Sequence, residues 1–389
     1  MDHICPGNSA PIAMFKRVLV TGGAGFIGSH TIDLLLRQGA KVRVLDNLEP
    51  QVHGLIDAPP AYLSREAEFV RGDVLDRDAL TKALVGCDAV IHDAAMVGVG
   101  QSQYQIHRYA NVNTAGTAML LDILVNEKTS VERLMVASSM SIYGEGLYRR
   151  PSDGARLAPT LRPDSQLAAH DFEMRDPETG EALTPIPTPE SKPLHCTSIY
   201  ALSKKDQEEY CLVAGRAHGM SVVACRFFNV YGPRQSLSNP YTGVAAIFSS
   251  RIKNGNAPLI YEDGLQSRDF IDVRDLAAAK LHLLTNPQAN LEAFNICTGR
   301  PTPVVDVARV LARLYGRPDL EPTIAKSYRS GDIRHCYGDP SRLAELGWKS
   351  SIGFEDGMRH LVEWSAEQEA NDQVETAHRE LVARGLIKA

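Results

Sequence analysis

The tightest constraint on this chain is a run of eight residues, Thr21-Gly22-Gly23-Ala24-Gly25-Phe26-Ile27-Gly28. It follows an apolar β-type stretch, Arg17-Val18-Leu19-Val20, and opens a helical pattern whose apolar face comes from Phe26, Ile27, Ile32, Leu34 and Leu35. Gly22, Gly25 and Gly28 stand at the spacing of a strand–turn–helix phosphate cradle. The first glycine permits the tight turn, the second leaves backbone bare for a pyrophosphate, and the third allows close helix–strand packing. The N-terminus of the helix adds free N–H groups and a positive partial charge.

A second apolar strand, Lys41-Val42-Arg43-Val44-Leu45, ends in Asp46. A carboxylate at that distance accepts hydrogen bonds from the hydroxyls of an adenosine ribose and repels a 2′-phosphate. No arginine follows to welcome such a phosphate, so the pattern favours NAD over NADP.

At 389 residues the chain suggests one large or two modest domains with a substantial core. A net charge of −6 and the lack of a sustained basic run argue against a nucleic-acid partner. No stretch has the length of a membrane-spanning helix, and residues 1–16 lack the apolar core of a signal peptide. Residues 1–15 read as a disordered lead. The seven cysteines are scattered without a C-x-x-C pair, which suits reduced thiols in a cytoplasmic protein, and no metal site is expected.

Further strands are expected at Glu68–Arg71, Ala89–His92 and Arg133–Ala137, alternating with helices, one of them a long helix over 103–127. That rhythm implies an α/β fold: a Rossmann-type doubly wound parallel sheet with helices on both faces and ligands at the carboxyl ends of its strands. Asp73 is placed either against the adenine or as the N-cap of a helix beginning near Arg77. Ala94 and Ala95 are small enough to let a cofactor lie close to the backbone. The segment from Glu145 to Thr197 is rich in proline and charge, has no sustained apolar period, and reads as a long structureless insertion beside the site, either a lid or a disordered excursion. Regular structure resumes with a helix near Ser198–His218 and a strand at Val222–Phe227. Residues 16–235 are thus read as the dinucleotide-binding domain. A smaller mixed α/β domain over 236–389 carries helices near Gly243–Asn254, Val273–Leu284 and Val304–Tyr315, and strands near Leu259–Tyr261, Phe270–Ile271 and Ala293–Cys297.

Tyr200 and Lys204 lie four apart and share a helix face. An ammonium near a phenol favours the phenolate, and the pair suits a general base near neutral pH.

With these residues in place, from about Lys16 to Leu361 the chain resembles the extended short-chain dehydrogenase/reductases, in particular nucleotide-sugar epimerases and dehydratases. The carriers are TGGAGFIG with Asp46, His92–Ala95, Asn113–Thr117, Ser138–Gly144, Tyr200–Lys204, Arg226–Arg234, Arg268–Phe270 and Arg329–Asp332. The resemblance implies that Tyr200 is the acid/base, that Lys204 holds the nicotinamide ribose, and that Ser139 hydrogen-bonds the reacting sugar hydroxyl. It implies NAD contacts at Gly22, Gly25, Phe26, Ile27, Gly28, Asp46, Asn47, Asp73, Val74, Ala94, Ala95, Asn113, Ser138, Tyr200, Lys204 and Phe227. It also implies substrate contacts at Ser139, Ser141, Asn229, Val244, Tyr261, Arg268 and Arg329, the two arginines clamping a diphosphate. Dimers through the helices near 103–127 and 198–218 are implied as well.

In this family the positions that would carry an acid for elimination hold Met140 and Ser141, so C4 epimerisation through a 4-keto sugar is favoured over dehydration. The segments 144–149, 187–190 and 239–244 resemble the branch acting on dTDP-L-rhamnose, giving dTDP-6-deoxy-L-talose. Cys336 matches a place where side-chain size affects the room around the sugar. The competing readings are a UDP-hexose 4-epimerase, a net nucleotide-sugar reductase or dehydrogenase, and a non-catalytic sensor.

Overall fold

Seven parallel strands run through the centre of the molecule, in a computed structural model that describes residues 15–329 and 331–388. Apart from Phe15, the expected lead lies outside those residues. The strands are β1 (Arg17–Thr21), β2 (Lys41–Asp46), β3 (Glu68–Arg71), β4 (Ala89–His92), β5 (Arg133–Ser139), β6 (Ser221–Phe227) and β7 (Glu292–Ile296). Their order across the sheet is β7-β6-β5-β4-β1-β2-β3. Every residue of β5 is buried, as expected of a parallel strand covered on both faces.

Helices cover both sides. They are α1 (Phe26–Arg37), α2 (Arg77–Leu84), α3 (Gly116–Asn126), α4 (Ile199–His218), α5 (Val244–Lys253), α6 (Val273–Thr285), α7 (Val304–Leu314), α8 (Phe354–Ser365) and α9 (Val374–Ala383). Successive side chains of a strand point to opposite faces, so β1 divides its residues between two cores. Val18 and Val20 join Ile32 of α1 and Leu276 and Leu283 of α6, whereas Leu19 joins Leu80 of α2, Leu120 of α3 and Cys211 of α4. The strand order reverses direction between β1 and β4, which opens a crevice above their carboxyl ends.

A second lobe is built on a four-stranded sheet of Asn229–Tyr231, Ser267–Asp272, Pro301–Pro303 and His335–Cys336. Tyr231, Phe248, Phe270, Leu311 and Leu361 make its core beneath α5, α7 and α8.

The structure departs from the sequence reading in two places and refines it in a third. The strand near 293–297 and the helix at 273–284, assigned to the smaller domain, belong to the large sheet: β7 pairs with β6 from Glu292↔Val223 to Ile296↔Phe227, and α6 packs on α1. A short apolar strand does not disclose its partner, and the open edge of β6 claims it. The expected long helix over 103–127 is present as one continuous run from Ile106 to Asn126, Ile106–Tyr109 passing through a π-helical turn over Ala110–Ala115 into α3, with a separate short turn at Val99–Ser102 before it. A π turn is invisible to a 3.6-residue period.

The segment 145–197 is also ordered. Leu147–Arg149 pairs antiparallel with both Arg156–Leu157 and Thr184–Ile186, and a short helix spans Asp164–Ala168. Arg162 and the fully buried Arg334 share the Glu262 carboxylate, and Arg334 also pairs with Asp263 and Glu173. Ion pairs, strands of two or three residues and two small apolar clusters, Tyr148 with Met174 and Leu183 and Leu167 with Phe172, hold this segment, and none of these sets up an apolar period to read.

Candidate active site

The crevice between β1 and β4 is a cavity of about 310 Å³. Its floor is the glycine turn. Gly22 has φ +68°, donates its N–H to the Leu45 carbonyl at 2.8 Å, and sits so close to β4 that an added Cβ would lie 2.8 Å from the Ala94 backbone. A Cβ on Gly28 would lie 2.6 Å from the Gly23 Cα. Gly25 is the N-cap of α1 and offers no side-chain cap. The first-turn N–H groups of this twelve-residue helix are therefore left to an anion in the cleft.

Of the residues named from the sequence, Gly22, Gly25, Phe26, Ile27, Gly28, Asp46, Asn47, Asp73, Val74, Ala94, Ala95, Ser138, Ser139, Tyr200, Lys204 and Phe227 line this cleft. Asp46 is 7% exposed and accepts N–H bonds from Ala24 (3.0 Å) and Leu48 (2.9 Å), which fixes the carboxylate at the end of β2. Burial raises its pKa, and His53 beside it opposes the rise. Asp73 is not a helix cap. It accepts from Leu75 N and Asn47 Nδ2, and Asp76 caps α2 through Ala79 N. The buried Ser138 hydroxyl and Asp93 Oδ1 have no partner in the protein, and both residues line the cleft. Bare backbone, an uncapped helix end and orphaned polar atoms all fit a dinucleotide.

Asn113 is a correction. It is fully buried behind the wall, donating to Met96 O and Ser203 Oγ and accepting from Met96 N at 2.7 Å. It positions α4 and does not line the cleft.

At the inner end of the cleft α4 presents Tyr200 and Lys204, opposite the turn that follows β5. Ser198 caps α4 through the Ala201 N–H, and Ser102 Oγ accepts from Tyr200 N. Ser139 Oγ accepts bonds from the N–H and hydroxyl of Ser141. Burial raises the Tyr200 phenol and the Ser139 hydroxyl lowers it. Burial pushes the Lys204 ammonium down to about 8, with Asp93 opposing and Lys280 adding to the fall. Lys204 Nζ donates to the Ala137 carbonyl at 2.9 Å. That bond turns Nζ toward β5.

A second cleft of about 320 Å³ adjoins the first, with Thr242 on both. Ser141, Asn229, Val244, Tyr261, Arg268 and Arg329 line it. Asn229 Oδ1 is buried without a partner. The Arg268 guanidinium donates to the carbonyls of Ser267, Ile333 and Arg334, which leaves two of its five N–H groups for a ligand. Arg329 pairs with Asp332 at 2.7 Å and lies over the Tyr261 ring at 4.9 Å. Cys336 does not face this space. It is 1% exposed in an apolar cluster with Met140, Tyr143, Phe228 and Cys297. Sequence reasoning missed His53 and Gln51 on the first cleft, and Val374, Ala377, His378 and Leu381 on the second. None stands in a spaced motif, and all reach their clefts only through the tertiary fold.

The sequence matches the NAD dependent epimerase/dehydratase family over residues 18–171 and 178–297. It is 37% identical over 356 residues to the dTDP-L-rhamnose 4-epimerase of Burkholderia thailandensis, covering 91% of this chain and 96% of that protein. To the UDP-glucose 4-epimerase of Haemophilus influenzae it is 30% identical over 366 residues, covering 89% and 96%. Among solved structures it resembles the UDP-glucose 4-epimerase of Thermotoga maritima with UDP-glucose, with TM-score 0.73, 29% identity, and coverage of 90% of this chain and 99% of that one. It also resembles the Thermus thermophilus UDP-glucose 4-epimerase complex with NAD, with TM-score 0.70, 30% identity, and coverage of 91% and 100%. Matches of this extent, running through both clefts, make the chain a member of the NAD-dependent epimerase/dehydratase family, an NAD-dependent nucleotide-sugar epimerase.

Proposed function

We propose that the enzyme inverts C4 of a nucleotide-linked sugar through a 4-keto sugar, and that its substrate is dTDP-L-rhamnose, giving dTDP-6-deoxy-L-talose. The observation that carries the reading is the meeting of the two clefts at one turn. Tyr200, Lys204 and Ser139 stand on the glycine-cradle side, and Ser141, Asn229, Arg268 and Arg329 on the other. The substrate assignment is supported by the 37% identity to the Burkholderia thailandensis enzyme, against 30% to the Haemophilus influenzae one.

NAD, when bound, supplies a hydride store and, in its oxidised form, a positive charge beside the phenol. Lys204 would hold its ribose, and the α1 N-terminus its pyrophosphate. Tyr200 accepts the proton of the C4 hydroxyl, with Ser139 hydrogen-bonded to the same oxygen. Arg268 and Arg329 hold the diphosphate by charge-assisted bonds while the 4-keto sugar turns to present the other face of C4 to the hydride store, and Tyr200 then returns the proton to the C4 oxygen. The turn between β5 and Tyr143 carries Met140 and Ser141, so no carboxyl group is supplied there to expel a hydroxyl.

The protein is also proposed to pair with a second copy. Leu202, Tyr210 and Val213 form one exposed apolar face of α4, and Ile106 is exposed on the neighbouring turn, an arrangement that supports burial between two chains. Light scattering should then give twice the chain mass.

The test follows C4 inversion by NMR over a panel of dTDP- and UDP-sugars without added reductant. Inversion of dTDP-L-rhamnose is expected, with Tyr200→Phe slower by about 10²- to 10⁴-fold and its NAD still co-purifying. Preference for UDP-hexoses would move the assignment to the UDP-glucose 4-epimerase reading. Stoichiometric consumption of NADH would replace epimerisation by net reduction.

A further inference from the structure

The carboxy-terminal residues lie beyond the stretch matched to the family, which ends at 297, yet they reach the substrate cleft. From α9, Val374, Ala377, His378 and Leu381 face into it. His378 Nδ1 shares a 2.8 Å hydrogen bond with the Tyr261 hydroxyl, and the planes of the two rings lie within 13° of parallel. Tyr261 is the ring beneath the Arg329 guanidinium. Beyond α9, Ile387–Lys388 pairs antiparallel with Tyr328–Arg329, placing Ile387 opposite Arg329. The tail therefore supports Arg329 twice, through its backbone and through the Tyr261 ring.

The same helix spans the mouth of the cleft. Glu380 Oε2 accepts hydrogen bonds of 3.0 Å from both Tyr104, on the dinucleotide side, and Tyr241, on the loop lining the substrate cleft. The two hydroxyls are 2.7 Å apart, and Arg384 lies 4.1 Å over the Tyr104 ring. At its other end Arg251 of α5 pairs with Asp372 and Glu375. Only Ala377 and Leu381 of α9 are buried. A ten-residue helix seated on two apolar side chains and a set of polar ties belongs to the low-stability part of a fold, the part from which moving elements are drawn.

We propose that residues 372–388 form a clasp that completes the nucleotide end of the substrate cleft, with His378 positioning Tyr261 and, through it, Arg329 for a diphosphate-linked nucleoside. The proposal rests on reading the second cleft as the nucleotide-sugar site. Its chemistry fits that ligand: a guanidinium for phosphate, a hydrogen-bonded tyrosine–histidine pair with near-parallel rings, and an apolar wall of Val374, Ala377 and Leu381. Glu380 ties the clasp to both lobes, so the segment closes over a ligand that bridges them.

The experiment uses the NAD-loaded full chain and calorimetric titration with dTDP and UDP, together with steady-state kinetics on dTDP-L-rhamnose. His378→Ala is expected to weaken nucleoside diphosphate binding and raise KM by about tenfold, with kcat, co-purifying NAD and thermal midpoint little changed. Glu380→Ala, which releases both tyrosine hydroxyls, is expected to act in the same direction. His378→Gln, which can still accept from the Tyr261 hydroxyl, should recover most of the affinity. Unchanged nucleotide affinity in both alanine variants overturns the clasp, as does an equal loss of kcat and NAD, which would mark a general structural defect. His378-dependent dTDP binding in a protein that epimerises no sugar supports the clasp while overturning the reaction assigned above. A wild-type protein that binds neither nucleotide overturns the clasp itself.

Discussion

Gly22 carries two demands at once, a backbone in the left-handed region and an approach to Ala94 that no side chain survives. Both obstacles are backbone and cannot yield by a rotamer change. Gly22→Ala is therefore expected to cost about 1–3 kcal/mol and to strip the protein of co-purifying NAD, read by the denaturant midpoint and the absorbance of released cofactor. His92 presents a different constraint. It is wholly buried between Thr21 Oγ1 and Thr117 Oγ1, and burial holds its pKa down to about 3 from an ordinary 6.5. The unfolded chain takes up a proton below about pH 6.5 that the native imidazole refuses until about 3, so this residue withdraws stability as pH falls through that window. His92→Gln should lose less of its stability between pH 7 and pH 5 than the wild type does, measured by urea denaturation at both. The sequence showed His92 at the end of β4, but not its partners, which come from β1 and α3.

At the scale of elements, legibility followed the source of stability. The Rossmann strands and α4 were readable because each buries an apolar face of regular period. Their ends carry the site, so the glycine turn, Asp46, Ser139 and the Tyr200–Lys204 pair were readable with them. The insertion was not, because its apolar residues, Tyr148, Leu167, Phe172, Met174 and Leu183, are scattered without a period and buried ion pairs share the work of holding it. Arg334 is fully buried, and its carboxylate partners Glu262 and Glu173 come from different parts of the chain. Arg334→Ala leaves the buried Glu262 with one counter-ion fewer, and a loss of about 3–5 kcal/mol is expected, with faster proteolysis between residues 150 and 190. Glu173 adds a pH signature. His335 and Arg334 hold its carboxyl down to about 2 from 4.5, so its contribution is complete above the ordinary value and is lost as pH falls toward 2. The stability gap between wild type and Glu173→Gln should narrow as the solution is acidified below pH 4.5.

For the molecule as a whole, the last strand of the large sheet comes late. β6 ends at Phe227, but its outer edge is not covered until Glu292–Ile296 arrives, after all of α5 and α6 have been made. During synthesis on the ribosome, a row of unpaired amides therefore stays open to the wrong neighbour while the intervening segment emerges. Chains halted after Phe227 should collect in the insoluble fraction, whereas chains halted after Trp348 should not, a comparison readable by sedimentation of arrested translation products. The dinucleotide half cannot be liberated by cutting near residue 235, and any inherited truncation falling between these two points would remove a finished sheet as well as the sugar-binding lobe.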